Sequence, residues 1–418
     1  MATTTAVVNI GQLVTLAGPA RPRAGRELAE LGLIRDAAMV VQDGRITAIG
    51  TYHDVLPAIP RFARVMDAAG RAVTPGFVDA HTHAVFAGNR AAEFEMRIAG
   101  TTYQQIAASG GGILRTVMQT RAASEDELLA EARRHCSWMM RAGTTTIEAK
   151  SGYGLDHDTE LRMLRVIARL NEEGFANFVP TLLAAHTVPP EFKENRAEYV
   201  RWIAEELIPA VAQARLARFC DAFCDEHAFT VEEARTVLTA ARKHGMELRI
   251  HCEQFRAGTG AELAAALHAR TADHLEAVTR ESLAALRSAG VQPVLLPGSV
   301  FALGRSQYPP TRLMVDLGLA IVLATDFNPG SSPIASIPFV LSLACLHMGL
   351  SPAEALTAAT INAAWSLGLG PQVGSLEVGK QADFLVHEFD DYRELAYFIA
   401  SPAQPRVFAA GVEVMHGT

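Results

Sequence analysis

Eight apolar, strand-like runs alternate with helical stretches through the middle of this chain, and this alternation constrains the fold more than any other feature. The runs are residues 77–84, 144–149, 176–185, 218–225, 247–252, 271–274, 293–296 and 319–325. Largely apolar strands that are separated by helices are typical of parallel sheets, and eight of them favour a closed (β/α)8 barrel. An open, doubly wound sheet is the alternative, but by itself it would not bring eight strand ends around one pocket.

Two of the intervening helices have recognisable starts. Thr230-Val231-Glu232-Glu233 forms a capping box before an Ala- and Leu-rich stretch that is predicted to end near Gly245. Ser351-Pro352-Ala353-Glu354 puts a capping serine, a first-turn proline and a third-position glutamate before another helix.

The two terminal segments of the chain have similar sequence patterns. Residues 4–73 and residues 372–418 both contain short alternating strands that are interrupted by turns. Neither segment is long enough to close a core of its own, so we predict one small β-sandwich built from residues 1–73 and 372–418. The barrel is then inserted between them as residues 74–371.

Composition limits the partners of the chain. A net charge of −8 over 418 residues, without any Lys/Arg-rich run, argues against binding to nucleic acid or to an acidic membrane surface. The most apolar stretch, 337–350, is too short to span a bilayer. Five cysteines without a Cys-x-x-Cys pair, and an N-terminus without a secretory signal pattern, predict a cytoplasmic protein that acts on a small molecule.

A histidine pair, His81 and His83, stands at the end of the first predicted barrel strand. Side chains two apart in a strand share a face, so both imidazoles can point at one small cation. His251, His274 and Asp326 each end another predicted strand. In a barrel, these ends converge on the face where active sites form.

Three imidazoles and a carboxylate describe a site for one zinc or iron ion, and we assign His81, His83, His251 and Asp326 as its ligands. A site with two metal ions normally needs a bridging anion, often a modified lysine, and the fourth strand has no lysine near its end. Each ligand alone could equally be an ordinary polar residue at a strand end. Together they predict a single divalent or trivalent metal ion, with zinc and iron both compatible.

Several longer motifs occur in a fixed order along nearly the whole chain. They are Pro75-Gly76-Phe77-Val78-Asp79-Ala80-His81-Thr82-His83, Phe86-Ala87-Gly88-Asn89-Arg90, Ser109-Gly110-Gly111-Gly112-Ile113, Glu148-Ala149-Lys150-Ser151-Gly152-Tyr153-Gly154, Ala184-Ala185-His186, Ala272-Asp273-His274-Leu275-Glu276, Asp326-Phe327-Asn328-Pro329-Gly330-Ser331-Ser332 and Gly379-Lys380-Gln381-Ala382-Asp383. With these motifs the chain resembles the amidohydrolase superfamily and, within it, the imidazolonepropionase family of histidine degradation.

The resemblance implies hydrolysis of the lactam C–N bond of 4-imidazolone-5-propanoate by metal-activated water. It also implies that Asp326 transfers the proton of the water and that His274 hydrogen-bonds the carbonyl oxygen as negative charge develops. A polar strand-end residue beside Asp273 is the alternative for His274. A homodimer is expected from the resemblance alone.

Gln254 marks a departure from related deaminases, which carry a general-acid glutamate three residues after the histidine of the fifth strand. Glutamine cannot exchange a proton, and the resemblance implies that Gln254 hydrogen-bonds the substrate ring. Strand alternation would put the neighbouring Glu253 on the His251 face, whereas a bend at the strand end would bring Gln254 inward.

The propanoate of the substrate needs a fixed cation, for which Arg90 is the candidate because a guanidinium matches a carboxylate. The alternative for Arg90 is a surface ion pair with Glu93 or Glu95. The other substrate-binding positions implied by the resemblance are Tyr153, His186, Asn328, Gly330 and Ser331. The last three also form a good turn sequence in their own right. Lys150 either orients its neighbours or pairs with Glu148.

Two other functions fit parts of this pattern. A nucleobase deaminase would share the metal ligands, but Gln254 and Arg90 count against it. A barrel retained as a non-catalytic scaffold would be expected to have lost a metal ligand, and all four candidates are present.

Overall fold

The computed structural model describes residues 4–101, 105, 110–226, 228–401 and 403–414, and these residues form two sheets. The strands, numbered along the chain, are β1 (Thr4–Val14), β2 (Leu33–Gln42), β3 (Arg45–Thr51), β4 (Arg64–Asp67), β5 (Ala72–Pro75), β6 (Phe77–Asp79), β7 (Thr144–Lys150), β8 (Asn177–Ala185), β9 (Phe219–Cys224), β10 (Glu247–Cys252), β11 (Thr271–His274), β12 (Gln292–Leu295), β13 (Val322–Leu323), β14 (Phe384–Val386), β15 (Arg406–Ala409) and β16 (Val412–Glu413).

The second sheet contains β6 to β13, which lie side by side in chain order and are all parallel. Such order is that of a (β/α)8 barrel, so the predicted fold class is confirmed. Two predicted strands, 247–252 and 271–274, match β10 and β11 residue for residue.

Helices connect the barrel strands and continue beyond them. The α-helices are Tyr52–Val55, Ala91–Ile98, Ile113–Ala122, Glu125–Arg141, His157–Glu173, Arg196–Trp202, Ile208–Ala214, Val231–Lys243, Gly260–Ala266, Arg280–Ala289, Pro297–Ala302, Thr311–Asp316, Ile337–Met348, Pro352–Ala358, Ile361–Ser366 and Glu394–Tyr397. Short 3-10 turns cover Gly25–Ala29, Leu56–Ala58 and Pro190–Phe192, and a π-helical segment covers Ile203–Leu207. The capping boxes predicted at Thr230 and Ser351 are both present. Among the described residues, no helix has the length and apolarity that a bilayer crossing requires.

The first and last barrel strands are shorter than predicted because the chain leaves each of them to close the barrel. β6 ends at Asp79 rather than at residue 84, and β13 covers only Val322–Leu323. The carboxylate of Asp79 accepts hydrogen bonds from the backbone N–H and the hydroxyl of Thr325, at 3.0 and 2.6 Å. Further along the same two segments, Thr82 and Phe327 form an isolated parallel bridge. This closure lies directly beside His81, His83 and Asp326.

Both ends of the chain meet in the first sheet, which is mixed and separate from the barrel. Its strand order is β16-β15-β14-β5-β1-β2-β3, with β4 added beside β1. β14, from the C-terminal segment, runs antiparallel to β5, and Val386 is opposite Val73. The sheet has its own apolar core, in which Ile10, Leu13 and Phe384 are buried. The limits between the two units, at residues 73/74 and 371/372, stay a prediction.

Candidate metal and substrate site

Four side chains from distant parts of the chain meet at the carboxyl end of the barrel. The rings of His81, His83 and His251 have centroids 4.4 to 5.6 Å apart, and one nitrogen of each lies within 4.8 Å of the others. Oδ1 of Asp326 lies 3.6 Å from Nε2 of His81 and 3.5 Å from Nε2 of His83. All four residues are at most 3% exposed. The structure therefore brings together the four predicted metal ligands.

Two of these imidazoles are backed by buried carboxylates. Nδ1 of His81 is 2.6 Å from Oδ2 of Asp273, and Nδ1 of His251 is 3.1 Å from Oδ1 of Asp221. A carboxylate at Nδ1 favours the tautomer in which Nδ1 carries the hydrogen, so that Nε2 presents its lone pair. Histidines that bind metal ions in proteins are usually held in this way.

The remaining nitrogens fit a metal ion. Nε2 of His81 and Nε2 of His251 are buried and have no hydrogen-bond partner among the described residues. An unpartnered buried polar atom is costly, and a cation would satisfy several such atoms at once. Burial holds the pKa values of His81, His83 and His251 below their usual range, so that the rings are neutral as ligands must be.

A second tier of charges lies beneath these carboxylates. Nζ of Lys150 is 2.8 Å from Glu148 and 2.9 Å from Asp221, and Nη2 of Arg249 is 3.2 Å from Asp273. All five side chains are fully buried. The structure thus shows the pairing of Lys150 with Glu148 that was one of its two alternatives, and adds Asp221 to it. Each carboxylate behind a predicted ligand contacts a buried cation, and Lys150 is shared between Asp221 and Glu148.

Asp326 and His274 both have unusual backbone conformations. Their φ values are 54° and 82°, in the left-handed region that residues other than glycine rarely adopt. Strain of this kind collects at functional sites, where the surrounding structure holds it in place. His274, Asp326 and His81 also form a second group whose nitrogen and oxygen atoms lie within 4.8 Å of one another.

Asp326 and His274 both have pKa values above their usual values. Burial raises the pKa of Asp326 to about 7, against the opposing effect of His274. Burial alone would lower the pKa of His274, but Glu276, Asp326 and Asp273 outweigh it and hold that pKa above its usual value. Nδ1 of His274 lies 3.5 Å from Glu276. Two ionisable groups with displaced pKa values in one buried cluster are typical of a functional site.

Glu253 directs its carboxylate to the start of the helix Gly260–Ala266. β10 ends at Cys252, Glu253 has a φ of 50°, and its Oε1 accepts a hydrogen bond from the N–H of Ala261 at 3.1 Å. This bend is the second of the two alternatives that were open for the strand end. Gln254 is 6% exposed, with its backbone N–H on Asp225. The predicted contact of Gln254 with the substrate ring stays a prediction.

Tyr153 and His186 line the side of the site next to His83. The ring of His186 stacks on that of His83 at 5.1 Å, and Tyr153 lies 5.9 Å from His83 and 5.3 Å from His186. Nδ1 of His186 is 3.0 Å from the carbonyl oxygen of Gly152. Both predicted substrate-binding residues are thus adjacent to the metal ligands.

The loop after β13 is organised by the side chain of Asn328. Its Oδ1 accepts hydrogen bonds from the N–H groups of Gly330 and Ser331 at 2.8 and 2.7 Å, and its Nδ2 donates to the carbonyl of Asp326 at 2.7 Å. The turn that was an alternative for these residues is therefore present, and it fixes the backbone next to Asp326. Their predicted contacts with substrate stay predictions.

Arg90 forms the ion pair with Glu93 that was considered as its alternative role. Nε and Nη2 of Arg90 each lie 2.7 Å from Oε2 of Glu93, and the side chain of Arg90 is only 17% exposed. The pair is largely buried rather than on the surface. Ser109, the first residue of the glycine-rich motif, lies outside the described residues, whereas Gly112 contacts Glu93.

Sequence reasoning missed Asp221, Asp273 and Arg249 as the residues behind the predicted ligands, and Glu276 as the neighbour of His274. The sequence contained part of the signal for this buried network. Arg249 and His251, like Glu148 and Lys150, are two apart in a strand and so share a face. Charged side chains on the inward face of a barrel strand indicate a buried network, but not which residues pair.

Comparisons with known proteins agree with this geometry. Residues 72–414 match the amidohydrolase family. The chain is 54% identical over 406 residues to an imidazolonepropionase of Solibacter usitatus, which covers 97% of each chain. It is 44% identical over 408 residues to an imidazolonepropionase of Symbiobacterium thermophilum, which covers 97% of this chain and 96% of the relative. A 5-methylcytosine deaminase from Klebsiella pneumoniae, liganded with 5-fluorocytosine, has a TM-score of 0.71 at 16% identity over 98% of this chain and 97% of that one, and shares the fold.

Proposed function

Since the chain belongs to the amidohydrolase family and, within it, to the imidazolonepropionases, we propose that it hydrolyses 4-imidazolone-5-propanoate to N-formimidoyl-L-glutamate in histidine degradation. The family resemblance read from the motifs is thereby confirmed. The chain is a hydrolase acting on a C–N bond of a cyclic amide. The observation that carries the proposal is the meeting of His81, His83, His251 and Asp326 beside a strained His274.

The four ligands would hold one metal ion, for which imidazole and carboxylate donors suit both zinc and iron. When bound, such an ion lowers the pKa of water and supplies a nucleophile at neutral pH. We favour zinc, because imidazole nitrogens and carboxylate oxygens are ordinary zinc ligands and a catalytic zinc site keeps a position open for water.

The reaction needs one proton to move. Water adds to the ring carbonyl carbon, the C–N bond breaks, and a proton of the water passes to the leaving nitrogen. Asp326 is the proton carrier in this proposal, because one oxygen of its carboxylate lies within 3.6 Å of Nε2 of His81 and His83 and the carboxylate has a second oxygen that can take up a proton. His274, whose raised pKa favours the protonated ring, donates a hydrogen bond to the carbonyl oxygen as charge develops there.

The substrate is oriented by groups around this centre. Arg90 binds the propanoate, and Tyr153 and His186 bound the ring on the His83 side. Gln254 hydrogen-bonds the ring, and Asn328, Gly330 and Ser331 form the wall after β13. Gln254 has no acidic proton, so it is not the general acid that a deaminase would need.

We also propose a homodimer in the cytoplasm. Exposed apolar side chains lie together near the C-terminal helix, where Tyr397, Phe398 and Ile399 follow one another and are all at least 49% exposed. Contiguous exposed apolar residues are typical of interfaces. The five cysteines are free thiols, in keeping with a reducing compartment.

Turnover of freshly generated 4-imidazolone-5-propanoate tests the function. We expect loss of imidazolone absorbance with wild-type protein, and no ammonia release from cytosine or guanine. His274→Ala and Asp326→Ala should each lower kcat by roughly 10²-fold or more. Gln254→Glu should not accelerate the reaction; a much faster Gln254→Glu enzyme would contradict the assignment of the proton to Asp326.

A further inference from the structure

Arg90 is held from one side by a buried carboxylate. Oε2 of Glu93 lies 2.7 Å from both Nε and Nη2 of Arg90, and Glu93 is 3% exposed. The edge of the guanidinium that is formed by Nε and Nη2 is therefore occupied by Glu93. Nη1 makes no hydrogen bond to any described residue, so Nη1 and the outer hydrogen of Nη2 remain as a parallel pair of donors.

Glu93 also fixes a second element. Its other oxygen, Oε1, accepts a hydrogen bond from the backbone N–H of Gly112 at 3.2 Å. Gly112 immediately precedes the helix Ile113–Ala122. One carboxylate thus ties the start of the helix Ala91–Ile98 to the end of the glycine-rich turn, and the guanidinium sits against it. A glutamine at this position would present an NH2 donor to one of these two N–H groups and so lose one of the hydrogen bonds.

Gly330 provides the space on the opposite side of Arg90. A Cβ atom built on Gly330 would collide with Nη1 of Arg90. Gly330 is not among the glycines with positive φ, so its backbone does not require glycine. The absence of a side chain therefore serves the guanidinium, which is clamped between Glu93 and the backbone of the loop after β13.

We propose that Glu93 is a positioning residue that acts through Arg90, and that Gly330 completes the clamp. This inference rests on the proposed function, because it takes the substrate carboxylate as the ligand of Arg90. The clamp leaves only the end-on edge of the guanidinium for that carboxylate. The clamp therefore fixes how far from the substrate ring the carboxylate must lie. It thereby selects substrates by the length of the side chain that carries the carboxylate.

A double-mutant cycle with Arg90→Met, Glu93→Gln and the double variant tests the proposal. Glu93→Gln should raise KM for 4-imidazolone-5-propanoate by roughly 10-fold or more with kcat within about threefold of wild type, because only the binding of the carboxylate is weakened. Arg90→Met should raise KM further. The double variant should equal Arg90→Met, because Glu93 has nothing left to position.

Gly330→Ala gives an independent route to the same effect. The clash falls on the tip of a flexible side chain, so the fold should tolerate the methyl group while Arg90 is displaced. KM should rise, and the variant should discriminate less between a propanoate arm and an acetate arm on the same ring. Glu93→Asp should give partial recovery relative to Glu93→Gln.

Glu173→Gln is the matched control, since Glu173 pairs with Arg133 on the outside of the barrel. It should leave KM unchanged. The inference is overturned if Glu93→Gln lowers kcat at constant KM, or if its effect persists in the Arg90→Met background. Absence of turnover by wild type would instead refute the proposed function itself, and the inference with it.

Discussion

His81 in the barrel and His387, which directly follows β14, are both buried, but only His387 has a hydrogen-bond partner for Nε2 among the described residues. His81 is 0% exposed and His387 is 3% exposed. His387 places Nε2 2.9 Å from the hydroxyl of Thr74 and stacks on Phe389. His81 has Asp273 at Nδ1 and no hydrogen-bond partner for Nε2 among the described residues. Burial alone therefore does not distinguish a candidate ligand from a structural histidine, whereas a buried Nε2 without a hydrogen-bond partner, in a ring held by a carboxylate at Nδ1, does.

Two buried aspartates repeat the contrast. Burial raises the pKa of Asp326 to about 7 and that of Asp383 to about 6. Asp383 is surrounded by donors, with the N–H of Ala410 at 2.7 Å and Nε2 of Gln381 at 3.0 Å. Asp326 instead faces imidazole nitrogens. A raised pKa is therefore shared by a structural acid and by the proposed proton carrier, and only their neighbours distinguish them.

The largest expected effect separates these two acids. Asp326→Asn should lower kcat by roughly 10³-fold and reduce the metal content of the purified protein, because a ligand and the proton carrier are lost together. Asp383→Asn should keep kcat within about threefold of wild type. Steady-state kinetics and metal analysis of both proteins check this. Comparable losses in the two variants would remove the distinction.

A smaller effect is expected from the carboxylates behind the ligands. Asp221→Asn and Asp273→Asn should each weaken metal binding by roughly 10- to 100-fold, because Nε2 is then no longer directed at the site. Competition with a chelator measures this without any assay of activity. Unaltered metal affinity in both variants would mean that these aspartates only fill the barrel.

The smallest effect concerns His387 and the pH dependence of stability. Burial lowers the pKa of His387 to about 3 in the folded protein, whereas an exposed histidine titrates near about 6.5. As the pH falls, the unfolded chain therefore binds the proton before the folded protein does. The contribution of His387 to stability is fully present above about pH 6.5 and is lost as the pH falls toward about 3.

Between about pH 7 and about pH 4.5, His387 should account for about 2 kcal/mol of lost stability, and His387→Gln should remove that part. Urea unfolding of wild type and variant at both pH values gives the difference. If the two proteins lose stability equally, His387 is protonated in the folded state and the comparison with His81 fails.

The sequence predicted the limits of individual strands better than it predicted which side chains contact one another. β10 and β11 were predicted residue for residue: each is a short run after a helix, and each ends at or one residue after a candidate site histidine, His251 or His274. The first strand was predicted to reach residue 84 but ends at Asp79, because closure with Thr325 interrupts it. An alternating pattern gives the face of a side chain, but not its neighbour on the next strand.

Long-range pairs therefore required the structure. The contact of Asp273 with His81 joins residues 192 apart in the chain, and nothing local to either residue signals it. The resemblance gives Gly330 as a substrate-binding position, and the structure adds that its backbone lies against Arg90, whose position depends on a different barrel loop.

The closure of the barrel by Asp79 and Thr325, 246 residues apart, has a consequence for biosynthesis. A nascent chain that has emerged only as far as β12 already carries all three imidazoles, but it lacks the carboxylate of Asp326 and the strand that holds the first two histidines in register. Premature loading of a cation would meet an incomplete coordination shell. If these four side chains hold a metal ion as proposed, the complete site would form only once the last barrel strand has been made.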